Sequence, residues 1–155
     1  MLEAIKLVGG IAGLLTTAFV IWDRWARGRP LAWVTAKKFG ANPLEYIRIQ
    51  NPGPVGVFIK SVRAYPGGLY GIAKDRSPGA MMKAQINIDV NVFLGPDDIC
   101  DLPLLPLRNP SEAARDQPVR FLVFWRKTSS SYLRQVPVVI MTSTDDIQRI
   151  AAAAP

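Results

Sequence analysis

Hydrophobic and polar positions divide this chain into three stretches with different periods. From Leu7 to Trp22 run 16 residues without a charge, and no amphipathic helical stripe can be drawn through them. From Leu31 the pattern changes to short segments of alternating apolar and polar residues, the period of strands with one packed and one wet face. The final stretch, TDDIQRIAAAA, has capping residues at Thr144 or Asp145 followed by good helix formers, which predicts a short terminal helix. The chain therefore reads as residues 1–30, a helical anchor with a basic flank, then 31–143, a β domain, then 144–155, a helical tail.

Within the β domain, INIDVNVFL alternates most regularly. Ile86, Ile88, Val90, Val92 and Leu94 point one way and Asn87, Asp89 and Asn91 the other, and the segment ends at the turn sequence GPDD. LAWVTAKK (31–38), LEYIRIQN (44–51) and VFIKSVRAYP (57–66) read as further strands. ICDLPLL (99–105) reads as an edge strand because Pro103 interrupts it. VRFLVFWRK (119–127) and YLRQVPVVIMT (132–142) flank TSSS as a hairpin. Seven short strands in about 110 residues predict an all-β antiparallel sandwich. A strand closing in IQNPGPVGV, another strand, and alternating residues closed by LGPDD together resemble immunoglobulin-like modules of the accessory type, over residues 31–143. The resemblance lies in strand pattern alone. It implies an immunoglobulin-like sandwich and no particular activity, because such sandwiches host many unrelated functions. The paired cysteines of antibody domains are not matched, since Cys100 has no mate.

The opening apolar run admits three readings: a cleaved secretory signal, a buried helix, or a membrane anchor. As a helix its core is about 24 Å long, somewhat short of a ~30 Å hydrocarbon layer. Its flanks extend it: Lys6 can snorkel, Trp22 and Trp25 sit at the depth of an aromatic belt, and Arg24, Arg27 and Arg29 lie just beyond. Gly28 and Pro30 then stop the helix. The run closes in bulky, charged FVIWDRW instead of a small-x-small cleavage site, so a retained single-pass anchor is expected. The basic residues after it outweigh those before it, which places the domain on the cytoplasmic side of a bacterial inner membrane. Gly9, Gly13 and Thr17 recur every four residues, a small-residue seam against which a second helix can pack, whether from a partner or another copy.

Composition narrows the chemistry. The chain has no histidine, which excludes a Ser-His-Asp triad and any His-ligated metal. One cysteine excludes an intrachain disulfide and a cysteine-rich zinc site. The net charge is +7, with basic residues scattered along the sequence after residue 40, a distribution that suits anionic lipid or an acidic partner better than a nucleic-acid groove. The longest gap between strands, Tyr65 to Gln85, carries Leu69, Tyr70, Met81 and Met82. These types suit a protein-contact or membrane-surface loop, and the plainer reading, of a loop that closes one end of the sandwich, stands slightly ahead of it. GGLYGIAK lacks the spacing of a phosphate loop. VRFLVFWRK mixes aromatic and basic residues, as single-strand binders do, but both its faces are apolar, which predicts a central strand covered on both sides. The Asp97, Asp98 and Asp101 spacing fits no EF-hand loop.

These readings lead to the expectation of a non-enzymatic membrane accessory protein without cofactor or metal. Its partners would be membrane proteins of a larger complex and the bilayer itself, with no nucleic acid. The alternative is an extracytoplasmic sandwich that binds a ligand or envelope component. A tethered enzyme is least supported, since no catalytic motif is present.

Overall fold

Val119, Phe121, Val123 and Trp125 occupy every second position of one strand and are all buried. That single alternation locates the core. The computed structural model describes residues 13–20, 28–39, 42–85, 89–107, 117–129 and 136–154. Residues 13–20 form a helix, α1. Then follow β1 (Leu31–Phe39), β2 (Asn42–Gln50), β3 (Val57–Tyr65), β4 (Tyr70–Ile72), α2 (Pro78–Gln85), β5 (Val92–Leu94), β6 (Ile99–Pro106), β7 (Pro118–Lys127), β8 (Val138–Ser143) and α3 (Thr144–Ala152).

The strands make two sheets, in the orders β1-β2-β6-β4 and β5-β3-β7-β8, and every pairing is antiparallel. Their apolar faces share one core, the arrangement of a β-sandwich. Ile47, Ile49, Leu102 and Leu104 come to it from the first sheet, and Val57, Ile59, Phe121 and Val123 from the second. Tyr70 of β4 meets the Phe121 ring edge-on at 5.9 Å between centroids. Ile147 of α3 lies in the same core, so the terminal helix is part of the sandwich. Its N-cap is Ser143, not Thr144 or Asp145: the Ser143 Oγ accepts the Asp146 N–H at 3.1 Å, while Thr144 is buried.

Three further expectations change for physical reasons. Among the described residues of INIDVNVFL, those hydrogen-bonded as a strand are Val92–Leu94, β5. Val90 and Leu94 are buried and Asp89, Asn91 and Phe93 exposed, as alternation requires, but Asn91 has a φ of 50° and breaks the extension; residues 86–88 lie outside the described residues. Pro103 does not make β6 an edge. β2 pairs with residues 99–103 and β4 with 104–106, so the proline falls where one neighbour hands over to the other. The segment 65–85 is no single loop, because β4 and α2 lie within it.

The two turn sequences IQNPGPVGV and LGPDD are joined by one side chain. Asn51 is fully buried. Its amide nitrogen donates to the carbonyls of Val55 (3.0 Å), Leu94 (3.3 Å) and Gly95 (2.8 Å), and its Oδ1 accepts the Gly53 N–H at 3.2 Å. Its backbone pairs with Asp97 and Asp98. In the second loop the Asp98 N–H returns to the Gly95 carbonyl, with Pro96 and then Asp97 at φ 61° between them, the backbone of a type II turn.

Candidate functional site

Of the expected anchor residues, Gly13, Thr17 and Arg29 are described. Gly9, Trp22, Arg24, Trp25 and Arg27 lie outside the described residues. All eight residues of α1 are exposed, Leu14 at 73% and Phe19 at 67%. None of the eight is charged. The Thr17 hydroxyl donates to the Gly13 carbonyl at 2.9 Å, which satisfies its polar group within the helix. A Cβ built on Gly13 would meet nothing within 4 Å. Arg29 is half-buried between buried Gly28 and Pro30 where β1 begins. No helix among the described residues is long and apolar enough to cross a membrane.

The expected contact residues separate into two environments. Tyr70 is 7% exposed and Leu69 packs against the core. Tyr70 therefore stands in the core, with Leu69 partly buried against it, because β4 joins the first sheet beside β6. Met82, 68% exposed, and Met81 remain on the surface of α2. Ser77 caps this helix from the residue before it, its Oγ accepting the Ala80 N–H, and the helix rests on Gly71, where an added Cβ would stand 2.8 Å from the Ala84 carbonyl oxygen. Between α2 and the approach to β5 lies an open cleft of about 460 Å³, bordered by Lys74, Lys83 and Asp89.

The outer faces of the two sheets carry charge differently. On the first, Asp101 takes Arg48 in a two-point ion pair (2.6 and 2.9 Å) and Lys37 at 2.6 Å. The Arg48 hydrogen bonds, with help from Lys37, hold the Asp101 carboxyl down at about 2. Arg76 and Lys37 lie over the Tyr46 ring, so this face is internally paired. Next to Asp101, burial pushes the Cys100 thiol up to about 11 and Asp101 adds to it, leaving a thiol that stays protonated and unreactive at neutral pH.

The outer face of the second sheet is different, and here the expectation that β7 is covered on both sides is corrected. Arg120 and Arg126 are exposed and Leu122 and Phe124 only half-buried, because no described element packs over them. Register places their neighbours. Tyr65, Arg120 and Met141 form one row, Arg63, Leu122 and Val139 the next, and Phe93, Phe58 and Arg126 the last. Lys60 projects between them. The Arg63 guanidinium lies 5.5 Å from the Phe124 ring centroid and that of Arg126 lies 5.1 Å from Phe58. Sequence reading saw the aromatic and basic residues of β7 but not their partners on β3. The available signal was alternation: Phe58 and Lys60 share a parity, as do Arg63 and Tyr65.

Among the described residues no three carboxylates or thiols converge as a metal-binding group. The Asp98 carboxylate accepts the Gly95 N–H at 2.8 Å and so belongs to the turn. No protein-family model matches the chain, and no curated protein is detectably similar to it in sequence.

Proposed function

We propose that this is a non-enzymatic, single-pass membrane protein whose β-sandwich docks on and stabilises a membrane protein assembly. One observation carries the reading: the described residues of α1, 13–20, are uncharged and all exposed, while the strands and α3 share a core to which none of those eight residues contributes. An apolar helix left outside a complete core has a natural place in hydrocarbon or against another apolar helix. The continuation of the uncharged run to both sides, with tryptophans and arginines after it, supports a retained anchor in a bacterial inner membrane. The basic bias supports a cytoplasmic domain.

Strand order supports the immunoglobulin-like reading of that domain. The antiparallel pairs β2/β6 and β3/β7 occupy the centres of the two sheets, as the B/E and C/F pairs do in such sandwiches. The order departs in one respect. After β3 the chain crosses to the β6 edge as β4 before it returns to pair β5 with β3. In this reading Gly13 and Thr17 line the helix seam, and Met81 and Met82 remain as extrinsic contacts.

The test is fractionation of the full-length chain. It is expected in the membrane pellet after alkaline carbonate washing and in solution only with detergent. Recovery in the soluble fraction without detergent would overturn the reading.

A further inference from the structure

Lys60, Arg63, Arg120 and Arg126 are distant in sequence, yet β3 and β7 set all four on one face of the second sheet, and all four are exposed. No acidic residue occurs in β3, β5, β7 or β8. The contrast with the first sheet is direct, since there Asp101 pairs with two of the cations. Between the four basic residues stand apolar side chains that are also open: Met141 at 66%, Phe93 at 58% and Val139 at 50%. Basic groups interleaved with exposed apolar ones match the boundary of an anionic bilayer, where phosphates and acyl chains lie a few ångströms apart.

We propose that the outer face of β5-β3-β7-β8 docks onto the anionic headgroups of a phospholipid bilayer, the arginines and Lys60 meeting phosphates while Phe93, Val139 and Met141 enter the interface. The proposal deepens the membrane reading given above, and rests on it for the tether that keeps the face close to lipid. Single-stranded nucleic acid is the competing occupant. It would stack bases on open aromatic rings, but the Phe58 and Phe124 rings are already covered by the guanidiniums of Arg126 and Arg63. The two rings left open, Phe93 and Tyr65, stand at opposite ends of β3 with aliphatic Val139 and Met141 as the other open side chains, which suits insertion better than the stacking of successive bases.

The test places a fluorophore on Met141→Cys in the full-length chain carrying Cys100→Ser, which leaves one thiol to label. The protein is reconstituted into vesicles of phosphatidylcholine alone, or of equal parts phosphatidylcholine and phosphatidylglycerol, each with a headgroup-quenching lipid. Quenching is expected in the anionic vesicles only, and is expected to vanish at about 1 M salt, where screening acts within ~3 Å. Each basic residue near such a surface contributes roughly fivefold to partitioning. Arg63→Glu with Arg120→Glu should therefore reduce docking on the order of 25-fold or more, with unchanged melting because both side chains are exposed. Lys60→Glu with Arg126→Glu is an independent second pair from the same face.

Incorporation into both vesicles with equal quenching overturns the proposal and leaves the anchor reading standing. Flotation with anionic vesicles alone, reversed by salt, supports the proposal while the anchor reading fails. Absence of quenching together with binding of a labelled oligothymidylate, lost in the Arg63→Glu/Arg120→Glu chain, assigns the face to nucleic acid and overturns the lipid proposal.

Discussion

Asp101 and Asn51 hold the sandwich by different chemistry, and each makes its own prediction. Asp101 is partly exposed, so its ion pairs with Arg48 and Lys37 are screened by water, and Asp101→Asn should cost about 1 kcal/mol at neutral pH. The folded carboxyl titrates at about 2 against an ordinary 3.8. Its contribution is complete above the ordinary value and is lost as pH falls through the folded one. The stability gap between parent and variant, measured by urea denaturation, should therefore close between those two values. A gap that persists below them would show that the loss came from packing. Asn51 is a buried hydrogen-bond donor to three carbonyls. Asn51→Ala leaves these without their partner, with an expected loss of about 3 kcal/mol in the same assay. Asn51→Asp keeps the size but not the donors and should fare no better.

Among the elements, β3 shows why strict alternation misleads. Its core residues are Val57 and Ile59, then Val62 and Ala64. The change of parity is absorbed by a bulge between Ile59 and Ser61, where Lys60 is the extra residue. Removing Lys60 should leave Ser61 opposite Phe124 and Val62 opposite Val123, with every core residue still facing inward. That deletion is expected to fold with a loss of about 1 kcal/mol, the value of the Asn91 N–H bond to the Lys60 carbonyl. Deleting Val62 also removes the bulge and keeps Arg63 opposite Leu122, but it puts the Ser61 hydroxyl in the core opposite Val123 in place of the valine, and should cost about 3 kcal/mol. Equal outcomes in thermal unfolding would contradict this register. The same element bears on INIDVNVFL: apolar periodicity reports which side chains are buried, whereas a strand also needs a neighbour to pair with, and among the described residues of that segment β3 pairs with Val92 to Leu94 and takes one further bond from the Asn91 N–H at the Lys60 carbonyl.

At the scale of the whole molecule the distinctive feature is a two-sheet core together with a helix whose described residues, 13–20, are all exposed. Gly13→Leu provides a test of the helix seam, because a Cβ added there meets nothing within 4 Å. Helix association in detergent, read by crosslinking, should fall while the melting of the sandwich is unchanged. Association that survives the substitution would assign the contact to another face. The two sheets also divide the molecule electrostatically, one paired within itself and one left basic. The +7 charge is therefore presented unevenly, and salt should weaken docking of the second face without affecting the anchor.

Alternation and turn chemistry were enough to place β1, β2, β3 and β7 and the terminal helix in the sequence, because each depends on neighbours a few residues away. The apolar run at the amino terminus was legible for the same reason: absence of charge is a local property. What the tertiary structure alone decided was which strands meet. Tyr70 became a core residue because β4 docks beside β6. Pro103 became an interior residue because two neighbours share β6. Four basic residues scattered in sequence became one surface because β3 pairs with β7 across some 60 positions. Long-range pairing leaves no local trace in composition, since its free energy comes from contacts that exist only once the chain has closed.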